Sequence, residues 1–175
     1  MQSTSIPSEL ESVLLAPPRT APRVEHLAPF LRAAREVLEI ELNTVVEPGE
    51  VLVASASLTR HDVTAIVGMT GELTGLAFYA MAEETAKAMV GHLMGERVTE
   101  LDELGLSAIA ELANMTTGRA AGLLADDGCW VNIAPPLLVC GVGARFSTAG
   151  IPRLLVPLRT ALGEIEFQLA IKLSR

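Results

Sequence analysis

Three residues carry the chemistry this sequence offers: Ser107, Glu111 and Asn114, set within Ser107-Ala-Ile-Ala-Glu-Leu-Ala-Asn114. In a helix, at about 100° per residue, Ser107 lies about 40° from Glu111, and Asn114 about 60° from it on the same side. Leu106, Ile109, Ala113 and Ala120 take the opposite face. The hydroxyl, carboxylate and carboxamide therefore form one outer stripe that can reach together into a partner. Gly118 continues the stripe a turn beyond Asn114 and keeps the surface low there. A helix chosen only for stability would not carry this set. Ser and Asn each cost roughly a few tenths of a kcal/mol against Ala, and an interior Gly105 or Gly118 roughly 1 kcal/mol. An E-x-x-N spacing alone is also common on a solvated helix face, so its meaning depends on what surrounds it.

The elements that must position the stripe are legible as runs and breaks. Residues 1–23 read as a disordered Pro- and Ser-rich tail, broken by Pro7, Pro17, Pro18 and Pro22, with a short helix over Ser8–Leu15 as the other reading. Residues 24–175 read as one domain. A helix is expected from Pro29, a residue suited to a first turn, to about Leu42, with Phe30, Leu31, Ala34, Val37 and Leu38 at helical spacing. A turn at Pro48-Gly49-Glu50 leads to a strand over Val51–Leu58. Strands over 62–67 and 72–79 then form a hairpin across Met69-Thr-Gly71. A second helix spans Ala82–Met94 and is capped by Gly95. Thr99-Glu-Leu-Asp102 resembles a capping box opening the long stripe-bearing helix, which runs to about Leu124. Asp126-Asp127-Gly128 turns the chain, and strands follow at 136–141, 154–160 and 164–173, the last two joined at Ala161-Leu162-Gly163. In the final strand Ile165, Phe167, Leu169 and Ile171 alternate with Glu166, Gln168, Ala170 and Lys172, predicting one buried and one wetter face.

The order helix, strand, hairpin occurs twice, and both hairpins place Gly-Glu between their strands, at Gly71-Glu72 and Gly163-Glu164. This predicts an α+β fold, an antiparallel sheet with helices packed on it, built as a pseudo-repeat. Superposing the first helix on the stripe-bearing one sets Arg32, Glu36 and Glu39 at the places of Ser107, Glu111 and Asn114. The first helix keeps a Glu but lacks the carboxamide.

Composition narrows the function. The 175 residues carry a net charge of −8, which argues against binding a nucleic-acid backbone. Half the residues are hydrophobic but only 3% aromatic, so the core must be aliphatic. Cys129 and Cys140 are able to pair but read as free thiols of a reducing compartment. His26, His61 and His92 are far apart, and no spacing suits a metal. No leader pattern stands at the N-terminus, and the apolar run Ile133–Ala144, broken by Pro135, Pro136, Gly141 and Gly143, reads as a buried strand with its entry turn. These features predict a cytoplasmic protein without a membrane partner.

From Pro29 onward, the Pro-Phe-Leu opening, the hairpin at Gly71, Gly95, the S-x-x-x-E-x-x-N stripe and Gly118 together resemble the CheC/CheX/FliY family of bacterial response-regulator phosphatases, its CheX-like branch in particular. The family pattern includes a proline a little over twenty residues past the Asn, a place that Pro135 or Pro136 fills. A single stripe, rather than one on each helix, is the CheX arrangement. The resemblance implies a CheC-like fold and a chemotaxis phosphatase that hydrolyses the aspartyl phosphate of a CheY-like receiver domain. It assigns Glu111 and Asn114 as catalytic, with Asn114 orienting the attacking water and Glu111 docking on the receiver's lysine, and Ser107 and Gly118 as partner-binding. No cofactor is expected on this chain, Mg²⁺ being expected on the receiver, and a homodimer is implied. Two other classes fit the same residues. One is a non-catalytic CheC-like binding module of a chemotaxis, flagellar-switch or other two-component pathway. The other is an unrelated α+β domain with a ligand on a polar helix face, although Gly141-Val-Gly143 is too short for a phosphate loop.

Overall fold

The computed structural model describes residues 24–54, 61–143, 146–148 and 150–174. The expected tail and residues 55–58 of the expected 51–58 strand lie outside them. Among the described residues three helices, α1 (Val24–Leu42), α2 (Glu83–Met94) and α3 (Glu103–Asp126), accompany eight strands: β1 (Glu47–Pro48), β2 (Leu52–Ala54), β3 (Val63–Gly71), β4 (Leu73–Met81), β5 (Val131–Ile133), β6 (Leu137–Cys140), β7 (Arg153–Thr160) and β8 (Gly163–Leu173). The strands form one antiparallel sheet in the order β1-β7-β8-β4-β3-β5, with β2 also on β7 and β6 also on β3.

The repeat read from the sequence is built into the register. The central pair β4–β8 joins two hairpins, β3–β4 and β7–β8, whose tips Gly71 and Gly163 take φ of 117° and 132°. That left-handed region favours glycine, which explains why the Gly-Glu pair recurs. Each hairpin is then flanked by a kinked segment from the other half. Pro48 faces Leu158 and Leu52 faces Leu155 on one side; Ile133 faces Met69 and Leu137 faces Ile66 on the other. Each segment carries one residue more than the strand it follows, and the same bond closes each bulge: the Gly49 N–H donates to Pro157 O at 2.7 Å and the Ala134 N–H to Gly68 O at 2.8 Å.

The core lies between the helices and one face of the sheet. Val63, Ala65, Val67 and Met69 of β3, Tyr79 and Met81 of β4, and Ile165, Phe167, Leu169 and Ile171 of β8 meet Phe30, Ala34 and Leu38 of α1 and Ile109, Ala113 and Ala120 of α3. Phe167 stands between Phe30 and Tyr79, with ring centroids 6.2 and 5.2 Å away, the aromatic centre of an otherwise aliphatic core.

Several expectations are corrected. The first helix begins no later than Val24, so Pro29 sits inside it; one proline there removes a single helix bond, and the buried Leu27 and Phe30 on either side hold the segment in place. Asp102, not Thr99, caps α3: its Oδ1 accepts the Gly105 N–H at 2.8 Å, and the helix begins at the next residue. The run 133–144 is not one buried strand. Pro135 and Pro136 split it into β5 and β6, and β6 exposes Leu137 at the sheet edge. The expected wet face of β8 is dry in the middle, where Ala170 joins Ile66 and Phe78 in a second small cluster.

Candidate functional site

The stripe helix is fixed from beneath. Tyr79 of β4 is fully buried, and its hydroxyl lies 2.9 Å from Thr117 Oγ1. The Thr117 hydroxyl proton is committed to the Ala113 carbonyl at 2.8 Å, so Tyr79 is the donor. Burial pushes the Tyr79 hydroxyl well above the ordinary phenol range, which keeps that proton in place. Gly105, Ile109, Leu112, Ala113, Thr116, Thr117, Ala120, Leu123 and Leu124 form the buried face of α3.

The expected site residues stand on the opposite side. Glu111 and Ser107 are exposed, and Asn114 and Gly118 are half-buried. The structure brings two of them together: Asn114 Nδ2 donates to Glu111 Oε2 at 3.5 Å, a contact at the outer limit for a hydrogen bond. Among the described residues no cation pairs with Glu111, so its carboxylate and the Asn114 amide face outward with capacity unspent. Ser107 is not part of that pair. Its hydroxyl donates to the Glu103 carbonyl one turn back, at 2.7 Å. Gly118 passes over β5, where an added Cβ would meet only Ile133 Cδ1 at 3.5 Å, ordinary contact. Pro135 and Pro136 lie together in the link between β5 and β6.

One residue the sequence reading passed over is Arg119. Its Nε donates to Glu36 Oε2 of α1 at 2.6 Å, while Arg32 Nε holds the other oxygen at 2.7 Å. Arg119, then Arg32, hold the Glu36 carboxyl below the ordinary range. Glu39 is lowered too, first by the Val46 N–H it accepts at 3.1 Å and then by Arg35. The Arg32–Glu36 spacing is visible in the sequence; its third member, on another helix, is not. A groove between the start of α1 and the end of α3, lined by Pro29, Arg32, Arg119, Leu123, Asp126 and Asp127, includes neither Glu111 nor Asn114.

An exposed carboxylate–carboxamide pair has no buried nucleophile or base to work with. What it offers is an acceptor for a partner's cation and a neutral amide that hydrogen-bonds water. Among the described residues no group of three or more His, Cys, Asp or Glu side chains is placed to hold a metal ion, and no helix is long and apolar enough to cross a membrane.

Three helices on one face of a pseudo-symmetric antiparallel sheet are the CheC-like fold. A CheC-like superfamily protein from Shewanella sp. PV-4 superposes with a TM-score of 0.78 at 25% identity, covering 86% of this chain and 99% of that one. The model of the family described as chemotaxis phosphatase CheX matches residues 63–159, which include all of α3. The CheY-P phosphatase CheX of Thermotoga maritima is 37% identical over 118 residues, 67% of this chain and 74% of that protein. The CheX–CheY–BeF₃–Mg²⁺ complex from Borrelia burgdorferi gives a TM-score of 0.73 at 28% identity, over 86% of this chain and 99% of that one. The chain belongs to the CheX family of CheC-like CheY-P phosphatases, and is a hydrolase of the chemotaxis system by that membership.

Proposed function

We propose that residues 24–175 form a single CheX-like domain that hydrolyses the aspartyl phosphate of a CheY-like receiver, with Glu111 and Asn114 as its working pair. The observation that carries this is their state in the fold: paired, among the described residues, only with each other, at the centre of the exposed face of α3, in a chain of this family. An acyl phosphate is already an activated group. What its hydrolysis lacks is a water held in line with the phosphorus. The Asn114 carboxamide cannot take a proton at neutral pH, but its C=O and NH₂ fix a water's position, so its contribution is orientation. Glu111 accepts a charge-assisted hydrogen bond from a receiver lysine and so sets the register in which Asn114 reaches the phosphoryl group. Ser107, bonded to its own helix, and Gly118 supply a low, polar surface beside that contact. Mg²⁺ comes with the receiver in this reading; the Borrelia complex contains that ion.

A homodimer is part of the proposal. The edge segments expose Leu52, Val53 and Leu137, which a second copy would cover. A monomeric mass in light scattering at micromolar concentration overturns that part. The domain is placed in the cytoplasm, where receivers reside. Decay of phosphorylated receiver in the presence of the wild type and of Asn114→Ala tests the whole. The wild type should accelerate decay and the variant should not, while both bind the receiver. Decay unaffected by the wild type would leave a binding module.

A further inference from the structure

Glu111 does not stand alone on its side of α3. Leu104, two turns before it, is 64% exposed in the first turn of the helix, and Met115, one turn after it, is 36% exposed. At about 100° per residue both fall on the same shoulder of the helix as Glu111, on the side away from Asn114. Scattered exposed apolar residues need no explanation. These two, however, bracket the carboxylate at spacings of seven and four, the seam that a helix presents to a packed partner. Among the described residues none covers Leu104, and Met115 keeps a third of its surface open; α3's own packing uses the opposite face. Past Met115 the same shoulder drops to Gly118 and Gly122. An added Cβ at Gly122 would meet nothing within 4 Å, so the packing of this chain does not require glycine there. The shoulder thus runs from two apolar side chains, with the Glu111 carboxylate between them, to a bare backbone floor.

We infer that Leu104 and Met115 are specificity-determining contacts for the phosphorylated receiver, which must present an apolar patch beside the lysine that meets Glu111. The inference rests on the proposed function, because it takes the occupant of α3 to be that receiver. Continuity identifies the occupant: Met115, the i+4 neighbour of Glu111, is about 6 Å from it, so a receiver that seats its cation on Glu111 from this shoulder lies over Met115 as well. The two side chains touch the partner and not the reacting atoms, so they set binding rather than turnover. The flexible, polarisable Met suits a contact that must form and release in each cycle.

The test uses the full chain. CheY-like receivers of the same genome are charged with a small-molecule phosphodonor for turnover, and held with BeF₃⁻ and Mg²⁺ for binding. The double variant Leu104→Ala/Met115→Ala should raise Kd and KM together by roughly tenfold or more, with kcat at saturation unchanged. The single variant Leu104→Ala, at a 64% exposed position, should keep the wild-type Tm while still weakening Kd, which separates the contact from any packing lost at the partly covered Met115. Ile40→Ala, at the position on α1 that corresponds to Met115 and 77% exposed, should leave Kd unaltered. A double variant that binds within twofold of the wild type overturns the inference and leaves the phosphatase reading standing. A wild type that neither binds nor dephosphorylates any receiver overturns both.

Discussion

α1 and α3 occupy corresponding places in the two halves, bury corresponding faces and each carry a glutamate at the centre of the outer face, yet they hold it in opposite states. On α1, Glu36 is clasped by Arg32 from its own helix and Arg119 from the other, and Glu39, where α3 has Asn114, takes the Val46 N–H and Arg35. Every charge on that face is spent inside the molecule. On α3, Glu111 has only a long contact to Asn114. The difference teaches that the scaffold does not make a glutamate reactive or available; its neighbours do. Arg119 crosses from α3 to close Glu36, and the place that Arg32 takes beside Glu36 is held beside Glu111 by Ser107, which bonds its own helix; the asymmetry lies in those neighbours.

The largest effect expected of any change to this pair is Asn114→Ala. Loss of a positioned water should lower kcat by at least about 100-fold, or about 2.7 kcal/mol of transition-state stabilisation, with receiver affinity within a few-fold of the wild type. Single-turnover decay of phospho-receiver measures it. The reciprocal graft, Glu39→Asn on α1, should confer no activity on a chain lacking Asn114, because Glu36 stays clasped; measurable turnover would break the comparison.

Smaller effects sharpen it. Tyr79→Phe removes the buried bond that ties α3 to the sheet and should cost about 1 kcal/mol, a fall in Tm of about 2–4 °C for a chain of this size. A Tm unchanged by the substitution would show that packing alone fixes the helix. Gly122→Ala fills open space at a helix interior position and should stabilise by up to about 1 kcal/mol by helix propensity, seen as a raised Tm. If the shoulder meets a partner, receiver Kd should weaken in the same variant.

The smallest effect is in pH. Arg119 lowers the folded-state pKa of Glu36, so the clasp contributes stability that is complete above the ordinary carboxylate range and is lost as pH falls through the lowered value. Glu36→Gln should flatten the wild-type decline of Tm between neutral and strongly acidic pH. Identical profiles would show that the exposed clasp adds nothing measurable.

Local signals made much of this fold legible. The strict alternation of Ile165 through Ile171 specified a strand and its core face but not the burial of Gln168 and Ala170 on the other, Gly71 and Gly163 marked turns that demand positive φ, and the recurrence of Gly-Glu exposed the repeat. What the sequence did not reveal depends on pairing across the chain. β1 and β5 are too short to show a period, and they exist as strands only because hairpins from the other half supply their hydrogen-bonding partners. The site followed the same rule. The facing of Glu111 and Asn114 is fixed by helical spacing, whereas Arg119 reaches a residue on a distant helix, and no local pattern reports that. The exposure of Leu104 likewise required knowing where the chain's own packing stops.

The exchange of edge segments has an implication for ancestry. Each half ends its sheet with strands donated by the other, so neither half closes its own edge. A half-length chain with this pattern would complete itself only by embracing a second copy. The present connectivity is the one that two such subunits joined through α2 would have. In it one seat serves as a fastening and the other as a hand.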